Sequence, residues 1–222
     1  MATTRKQEAR PKRRYDSSRR SEQAAETRRR IVEAAAACFA ESGYARTTLA
    51  AVAARADVSV ESVTANGPKR ALLIAAFSQT FAGVETEGTV LTGDPWTAAF
   101  AAGNAAAVLD AVADLVVAGQ QRGHGIWRAV SAAAVQEPEV AELYAALSER
   151  RRADNLRGVL LLGERGLLRR DRTAQQLADT MALLNGFDPY QLYVVEFGWS
   201  LADLKSWYVD TVRRTVLRPD VV

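Results

Sequence analysis

The residues with the most reactive side chains are few. The chain has one histidine, His124, and one cysteine, Cys38. His124 sits in Arg122-Gly123-His124-Gly125, which reads as a flexible loop rather than the seat of a catalytic base. Cys38 falls on an apolar helix face and reads as a packed core thiol. Glu137 and Glu139 flank Pro138 and read as the solvated start of a helix. No spacing suits a metal, a phosphate loop or a nucleophile elbow. The expectation is therefore no enzyme, no cofactor and no metal. What the sequence does offer is chemistry for holding a polyanion. Residues 1 to 30 carry 11 Lys and Arg against four acids, a charge of +7, while the rest of the chain sums to −4. A basic N-terminal arm, with Arg13 and Arg14 in it, suits nucleic acid, and a solvated leader is the other reading. Hydroxyls follow at Thr47, Thr48, Ser59, Ser62 and Thr64, and a lysine at Lys69.

These groups need elements to position them. The chain has 222 residues, 48% hydrophobic and 25% charged, the composition of an ordinary soluble domain or two. One cysteine rules out an internal disulfide. The basic N-terminus lacks the apolar core of a secretory signal. The longest apolar region, near 96–118, is interrupted by Asn104, Asp110 and Asp114, so no membrane span and a cytoplasmic protein are expected. Residues 1–20 are read as a basic arm, disordered alone. A helix over Ser21 to Ser42 carries Ile31, Ala35, Cys38 and Phe39 on one stripe and stops at Gly43. Thr47 or Thr48 can cap a second helix, in which Leu49, Val52, Ala53 and Ala56 repeat on one face. Asp57 breaks that run, Ser59 can cap a third helix from Val60, and Asn66-Gly67-Pro68 ends it. A fourth helix runs from Lys69 to Phe81. Helical segments follow near 95–119, 125–136, 138–164, 173–185, 189–197 and 200–217, separated by glycine-containing gaps at 83–93 and 119–125. Thr173 to Gln176 and Ser200 to Asp203 resemble capping boxes. No stretch alternates convincingly as a strand. The fold class is all-α, with an N-terminal three-helix domain and a C-terminal antiparallel helical bundle.

Two short helices joined by three or four residues make a helix-turn-helix, whose second helix enters the DNA major groove. Ala53 lies where the helices cross and is small enough for close approach. Asp57 lies in the turn, where a left-handed backbone is expected, and aspartate tolerates it better than most residues. Val58 and Val63 point back toward Leu49, Val52 and Ala56. Glu61, Thr64 and Ala65 then face outward, with Val60 and Ser62 on the flanks. Glu61 can accept from cytosine N4, or it can favour the helix N-terminus through the macrodipole.

Residues 27 to 77, TRRRIVEAAAACFAESGYARTTLAAVAARADVSVESVTANGPKRALLIAAF, resemble the N-terminal domain of a TetR-family transcriptional regulator. The resemblance rests on Ile-Val-x-Ala-Ala, Phe39, Gly43-Tyr44 with Thr47-Thr48, the Ala-Val-Ala helix, Val58-Ser59, and Lys69 before Ala71-Leu72-Leu73. It implies a DNA-binding domain over 21–67 and a ligand-binding and dimerisation domain over 68–222. Thr47, Thr48 and Lys69 would hold phosphate, and Ser59, Val60, Glu61, Ser62, Thr64 and Ala65 would line the DNA-facing surface. Departures stand at Asp57 for glycine, Thr64 for an aromatic and Gly67 for phenylalanine, with a loop before Lys69 one residue short.

The resemblance also implies a homodimer on a palindromic double-stranded operator, a repressor released by a small, largely apolar effector. Dimer candidates are Leu177, Met181, Leu184, Leu204, Trp207, Tyr208 and Val212, with a monomer core as their other reading. Pocket candidates are Phe100, Trp127, Tyr144, Leu147, Leu160 and Tyr190. Helical DNA-binding architectural or protein-interaction modules without an effector are the alternative class, and a helical enzyme the most remote.

Overall fold

Short side chains at helix starts set the frame. Thr48 accepts from the Ala51 amide at 3.1 Å, Ser59 from Ser62 at 3.1 Å and Asn104 from Ala107 at 2.9 Å. Thr173 with Gln176 and Ser200 with Asp203 both close full capping boxes. Each such cap contributes about 1 kcal/mol and fixes where its helix begins. The computed structural model describes residues 15–82 and 94–220, with side chains over 21–80 and 95–220. Its helices are α1 (Tyr15–Arg46), α2 (Leu49–Ala56), α3 (Val60–Ala65), α4 (Lys69–Ala82), α5 (Asp94–Phe100), α6 (Ala105–Ala134), α7 (Pro138–Glu164), α8 (Ala174–Leu184) and α9 (Leu201–Thr215). A π-helical segment, Tyr190–Glu196, precedes α9.

Three boundaries differ from the sequence expectation. α1 begins at Tyr15, inside the expected arm, because the polar run from Tyr15 contains no proline or glycine to stop it. Its interruption at Gly43, with φ 74° and ψ 171°, lies where a stop was expected. The glycine-rich gap at 119–125 is not a gap. One 30-residue helix, α6, runs through it, and His124 is therefore helical. A Cβ at Gly125 would lie 2.8 Å from the Ala40 Cβ and 3.2 Å from its carbonyl oxygen, so α1 and α6 meet closer than any side chain allows. That packing offsets the roughly 1 kcal/mol a helical glycine costs. The break falls instead at 101–104, before the Asn104 cap.

Two apolar cores result. The first joins α1 to α4 with the C-terminal half of α6, and includes Ile31, Phe39, Val52, Val63, Leu72 and Trp127. The second joins α5, the first half of α6, the end of α7, α8 and α9. α6 is the shared wall, so a ligand or a mutation on it can act on both. An antiparallel bridge between Leu168 and Leu217 pins the chain after α9 beside the α7–α8 connection.

The second core takes in most of the expected dimer face, the monomer-core reading of those residues. Leu177, Met181, Leu184, Leu204, Tyr208 and Val212 are all buried within one chain. An amphipathic stripe says that a helix face is covered but not by what, and here the cover includes α6 and α7. The Tyr208 hydroxyl donates to Asn185 at 2.8 Å, and the Asn185 amide donates to Asn155 at 2.7 Å, tying α9 and the end of α8 to α7. Of the seven candidates, Trp207 alone is half-buried.

Candidate nucleic-acid interface

α2 and α3 are too short to be stable alone and are held by the first core. Val52, Ala53, Ala56 and Val63 are buried there, with Leu49 and Val58 packed at its edge. Asp57 turns the chain between them with φ 52° and ψ 54°, the one non-glycine residue in the left-handed region among those described. The Val58 amide donates back to the Ala53 carbonyl at 3.1 Å. Arg30 of α1 donates to the Asp57 carbonyl at 3.2 Å and also to that of Ala56, closing the exposed end of α2. This brace spans 26 residues and has no local sequence signal.

The outward surface of α3 carries Val60, Glu61, Thr64 and Ala65, all exposed, with Ser62 half-buried. Ser59 is exposed as well, and its hydroxyl lies 3.1 Å from that of Ser62. Glu61 is held below the usual carboxylate range by its own backbone amide and by the Ser59 hydroxyl. It thus sits on the N-terminal turn, where a negative charge is favourable. The Thr64 hydroxyl donates to the Val60 carbonyl at 2.9 Å, leaving its lone pairs outward.

Thr48 caps α2 and Lys69 opens α4, the helices before and after α3 in the chain. Thr48 is exposed at the N-terminus of α2. Lys69 Nζ lies 4.4 Å from the Tyr44 ring centre and donates to the Ala45 carbonyl at 3.2 Å. Burial lowers its pKa, opposed by Glu137. Thr47 is different, and its expected phosphate contact is corrected. It is 3% exposed, and its hydroxyl reaches the carbonyls of Cys38 at 3.0 Å and Gly43 at 2.8 Å. It locks the corner rather than touching a ligand. Arg13 and Arg14 lie outside the described residues.

The departure at Gly67 has a local cause. Gly67 takes φ 122°, and a Cβ there would lie 3.2 Å from that of Ala71. The short loop leaves no place for an aromatic side chain. Tyr44 packs nearby instead, stacked on Phe39 with ring centres 5.9 Å apart and donating to Glu137 at 3.0 Å. Burial, reinforced by Glu137, pushes its phenol up to about 12.

The expected pocket residues divide. Trp127, Tyr144 and Leu147 gather at the first core, where Trp127 lies 5.1 Å from Tyr144, 5.2 Å from Phe187 and 5.9 Å from Phe77 of α4, centre to centre. Tyr190 packs against His124 at 5.1 Å. Phe100 belongs to the second core. Leu160 is 50% exposed, on the outer side of α7. Sequence reasoning missed Arg151, whose guanidinium lies 4.7 Å from the Trp127 ring centre. The outer side of α9 forms an open cleft of about 390 Å³ lined by Trp199, Asp203, Ser206, Trp207 and Asp210.

A capped, tightly turned helix pair with a small polar outer face, set on a two-core helical body, is a helix-turn-helix, the arrangement that can present α3 to the DNA major groove. Residues 31–66 match the model of the bacterial regulatory proteins of the tetR family. That match covers the helix-turn-helix itself, so this stretch is similar to the DNA-binding domain of those regulators. Solved structures share the fold along most of the chain. A candidate transcriptional regulator from Saccharomonospora viridis, in complex with choline, is 18% identical, covers 87% of this chain and 99% of its own, and has a TM-score of 0.67. A candidate TetR-family regulator from Mesorhizobium loti is 20% identical over 88% and 98%, with a TM-score of 0.67. SmeT, the repressor of the Stenotrophomonas maltophilia efflux pump SmeDEF, is 19% identical over 88% and 92%, with a TM-score of 0.61, and also has a triclosan complex. Among curated proteins none matches the sequence.

Proposed function

We propose that the chain is a cytoplasmic repressor that binds a palindromic operator as a homodimer and is released by a small, largely apolar effector. The observation that carries the reading is the exposed polar face of α3, presented by a turn held at Asp57. The division into an arm, a DNA-binding domain over 21–67 and an effector and dimer domain over 68–222 belongs to the same proposal. Dimerisation would use outward apolar residues near the C-terminal helices, Leu183, Leu192, Val195 and Phe197, rather than the buried stripe. Choline and triclosan in the related structures support an effector in the body.

The route from body to DNA would be α4. Phe77 of α4 meets Trp127 of α6, Arg70 of α4 pairs with Glu139 of α7, and Tyr44 bonds Glu137 before α7. An effector that favours one packing of Trp127 would shift α4 and with it the spacing of the two recognition helices. The test is a gel shift on DNA flanking the chain's own gene, with light scattering for mass. A preference for a palindrome over random duplex at physiological salt and a dimer mass are expected. No preference would overturn the operator reading, and a monomer at micromolar concentration would overturn the dimer.

A further inference from the structure

The polar groups without partners are not scattered over the molecule. Among the described residues, two buried side-chain polar atoms lack a hydrogen bond, Gln120 Oε1 and Ser131 Oγ. Both lie on one stripe of α6, Gln120, His124, Trp127 and Ser131, at helical spacings of four, three and four. Gln120 is only 3% exposed. Its orientation is fixed, because Nε2 donates to the carbonyls of Leu184 at 3.1 Å and Gly186 at 2.6 Å. Its oxygen is therefore the end left over. His124, the next position on the stripe, is satisfied by Gln191 at 2.7 Å.

Facing this stripe is a cation in the opposite condition. Arg151 of α7 lies 4.7 Å from the Trp127 ring centre and 5.6 Å from that of Phe187. Burial lowers its pKa, with Tyr144 and Asp188 acting against that. Among the described residues no oxygen accepts from its guanidinium, and it makes no ion pair. Its Nη2 would be 3.4 Å from a Cβ at Gly186, so it reaches the same glycine whose carbonyl holds Gln120. An aromatic wall offers it attraction but no acceptor. A planar anion would fit the guanidinium fork with two parallel bonds.

We infer that this face binds an effector bearing a carboxylate for Arg151, a flat apolar body against Trp127 and Phe187, and a hydrogen-bond donor for Gln120 Oε1. The inference rests on the proposal that the helical body holds an effector and specifies its chemistry. It changes the expected ligand from merely apolar to an organic acid. Arg151 stands in the run Arg150-Arg151-Arg152, which reads as a solvated charge cluster until the packing is known.

The test uses the full chain and paired probes: benzoate, 3-hydroxybenzoate, phenylacetate and indole-3-acetate, each beside its neutral amide, with benzyltrimethylammonium as the cation. Binding is read by melting temperature and by tryptophan fluorescence. Each bound carboxylate should bind at least about tenfold more tightly than its amide, the scale of a charge-assisted hydrogen bond. 3-Hydroxybenzoate, which carries a donor free of its own carboxylate, should exceed benzoate by a few-fold, and Gln120→Met should remove that difference. Arg151→Met should erase the preference for acid over amide while leaving the amide's binding, and Arg151→Lys should restore part of it. Three outcomes overturn the inference: no carboxylate outperforms its amide, benzyltrimethylammonium binds best, or Arg151→Met keeps the acid preference. The gel shift separates this from the wider reading. DNA release by an amide or the ammonium probe sinks the acid site and leaves the regulator intact, whereas absence of specific DNA binding sinks the regulator whatever the acids do.

Discussion

The two ends of the molecule satisfy their polar groups in different ways. At α2 and α3 nearly every short polar side chain has a local partner: Thr48 with Ala51, Ser59 with Ser62, Thr64 with Val60 and Asn66 with Ser62. Around Trp127 the partners are distant in sequence, as for Gln120 with Gly186 or His124 with Gln191, and some are missing. The recognition end is thus a finished surface, whose shape exists before DNA arrives. The body end is an unfinished one, with unmatched charge and acceptor groups beside stacked rings. A regulator needs both. A rigid reader gives sequence preference, and a site with unspent interactions lets a small molecule tip the balance between two packings.

The largest test is at the joint between the ends. Gly125→Val should place a side chain where Ala40 already stands and force α1 from α6. The expected loss is about 3 kcal/mol, or roughly 6–12 °C in melting temperature, together with weaker DNA binding. Gly119→Ala is the control on the same helix. Nothing lies within 4 Å of its Cβ position, so it should be neutral or stabilise by up to about 1 kcal/mol. Equal melting temperatures for the two variants would show that the close approach does not hold the ends together.

The next pair separates two residues that the sequence put in one role. Lys69→Met should weaken operator and random DNA alike, by about tenfold at physiological salt, and reduce the salt slope by about one. Thr47→Val should instead lower stability by about 1–3 kcal/mol, since it removes the hydroxyl that serves the Cys38 and Gly43 carbonyls. Its salt slope should match the parent's. A reduced slope for Thr47→Val would return that residue to the DNA surface. A smaller effect is expected at the turn. Asp57→Gly relieves a left-handed aspartate and should add about 1 kcal/mol, measured by denaturant unfolding. A loss there would mean that the Asp57 carboxylate, 3.8 Å from Arg30, matters more than the backbone.

The same contrast explains what the sequence could show. Thr48, Asp57, Ser59 and the two capping boxes act over three or four residues, so their roles are written locally. The α3 face followed from helical periodicity alone. The misread features all depend on contacts far along the chain. Gly125 looks like a loop residue until Ala40 is beside it. Leu177 and Leu204 look equally suited to a partner chain or to the chain's own core. Thr47 and Thr48 are neighbours of one type, and only the buried Cys38 carbonyl tells them apart. Arg151 is the extreme case, since neither its half-buried setting nor its ring contacts leave any trace in the residues around it.

His124 gives the smallest and most selective comparison. It is the chain's only histidine and lies at the body end, buried against Tyr190 and bonded to Gln191. Burial lowers its pKa, opposed by Gln191 and assisted by Arg128. A lowered folded-state value means that the unfolded chain takes up the proton first as pH falls. Stability from this group is therefore complete above about pH 6.5, the ordinary histidine value. It declines as pH drops below that toward the folded-state pKa. His124→Gln keeps a polar side chain facing Gln191 and removes the titration. Its melting temperature should change less than the parent's between pH 7.5 and 5.5, where carboxylates do not titrate. An identical slope in both proteins would mean that the buried imidazole is protonated as readily as in the unfolded chain. The α2–α3 end carries no histidine, so DNA affinity corrected for the folded fraction should stay level while the body weakens. If affinity falls with the body's stability, the joint through Phe77 and Trp127 transmits strain even without an effector.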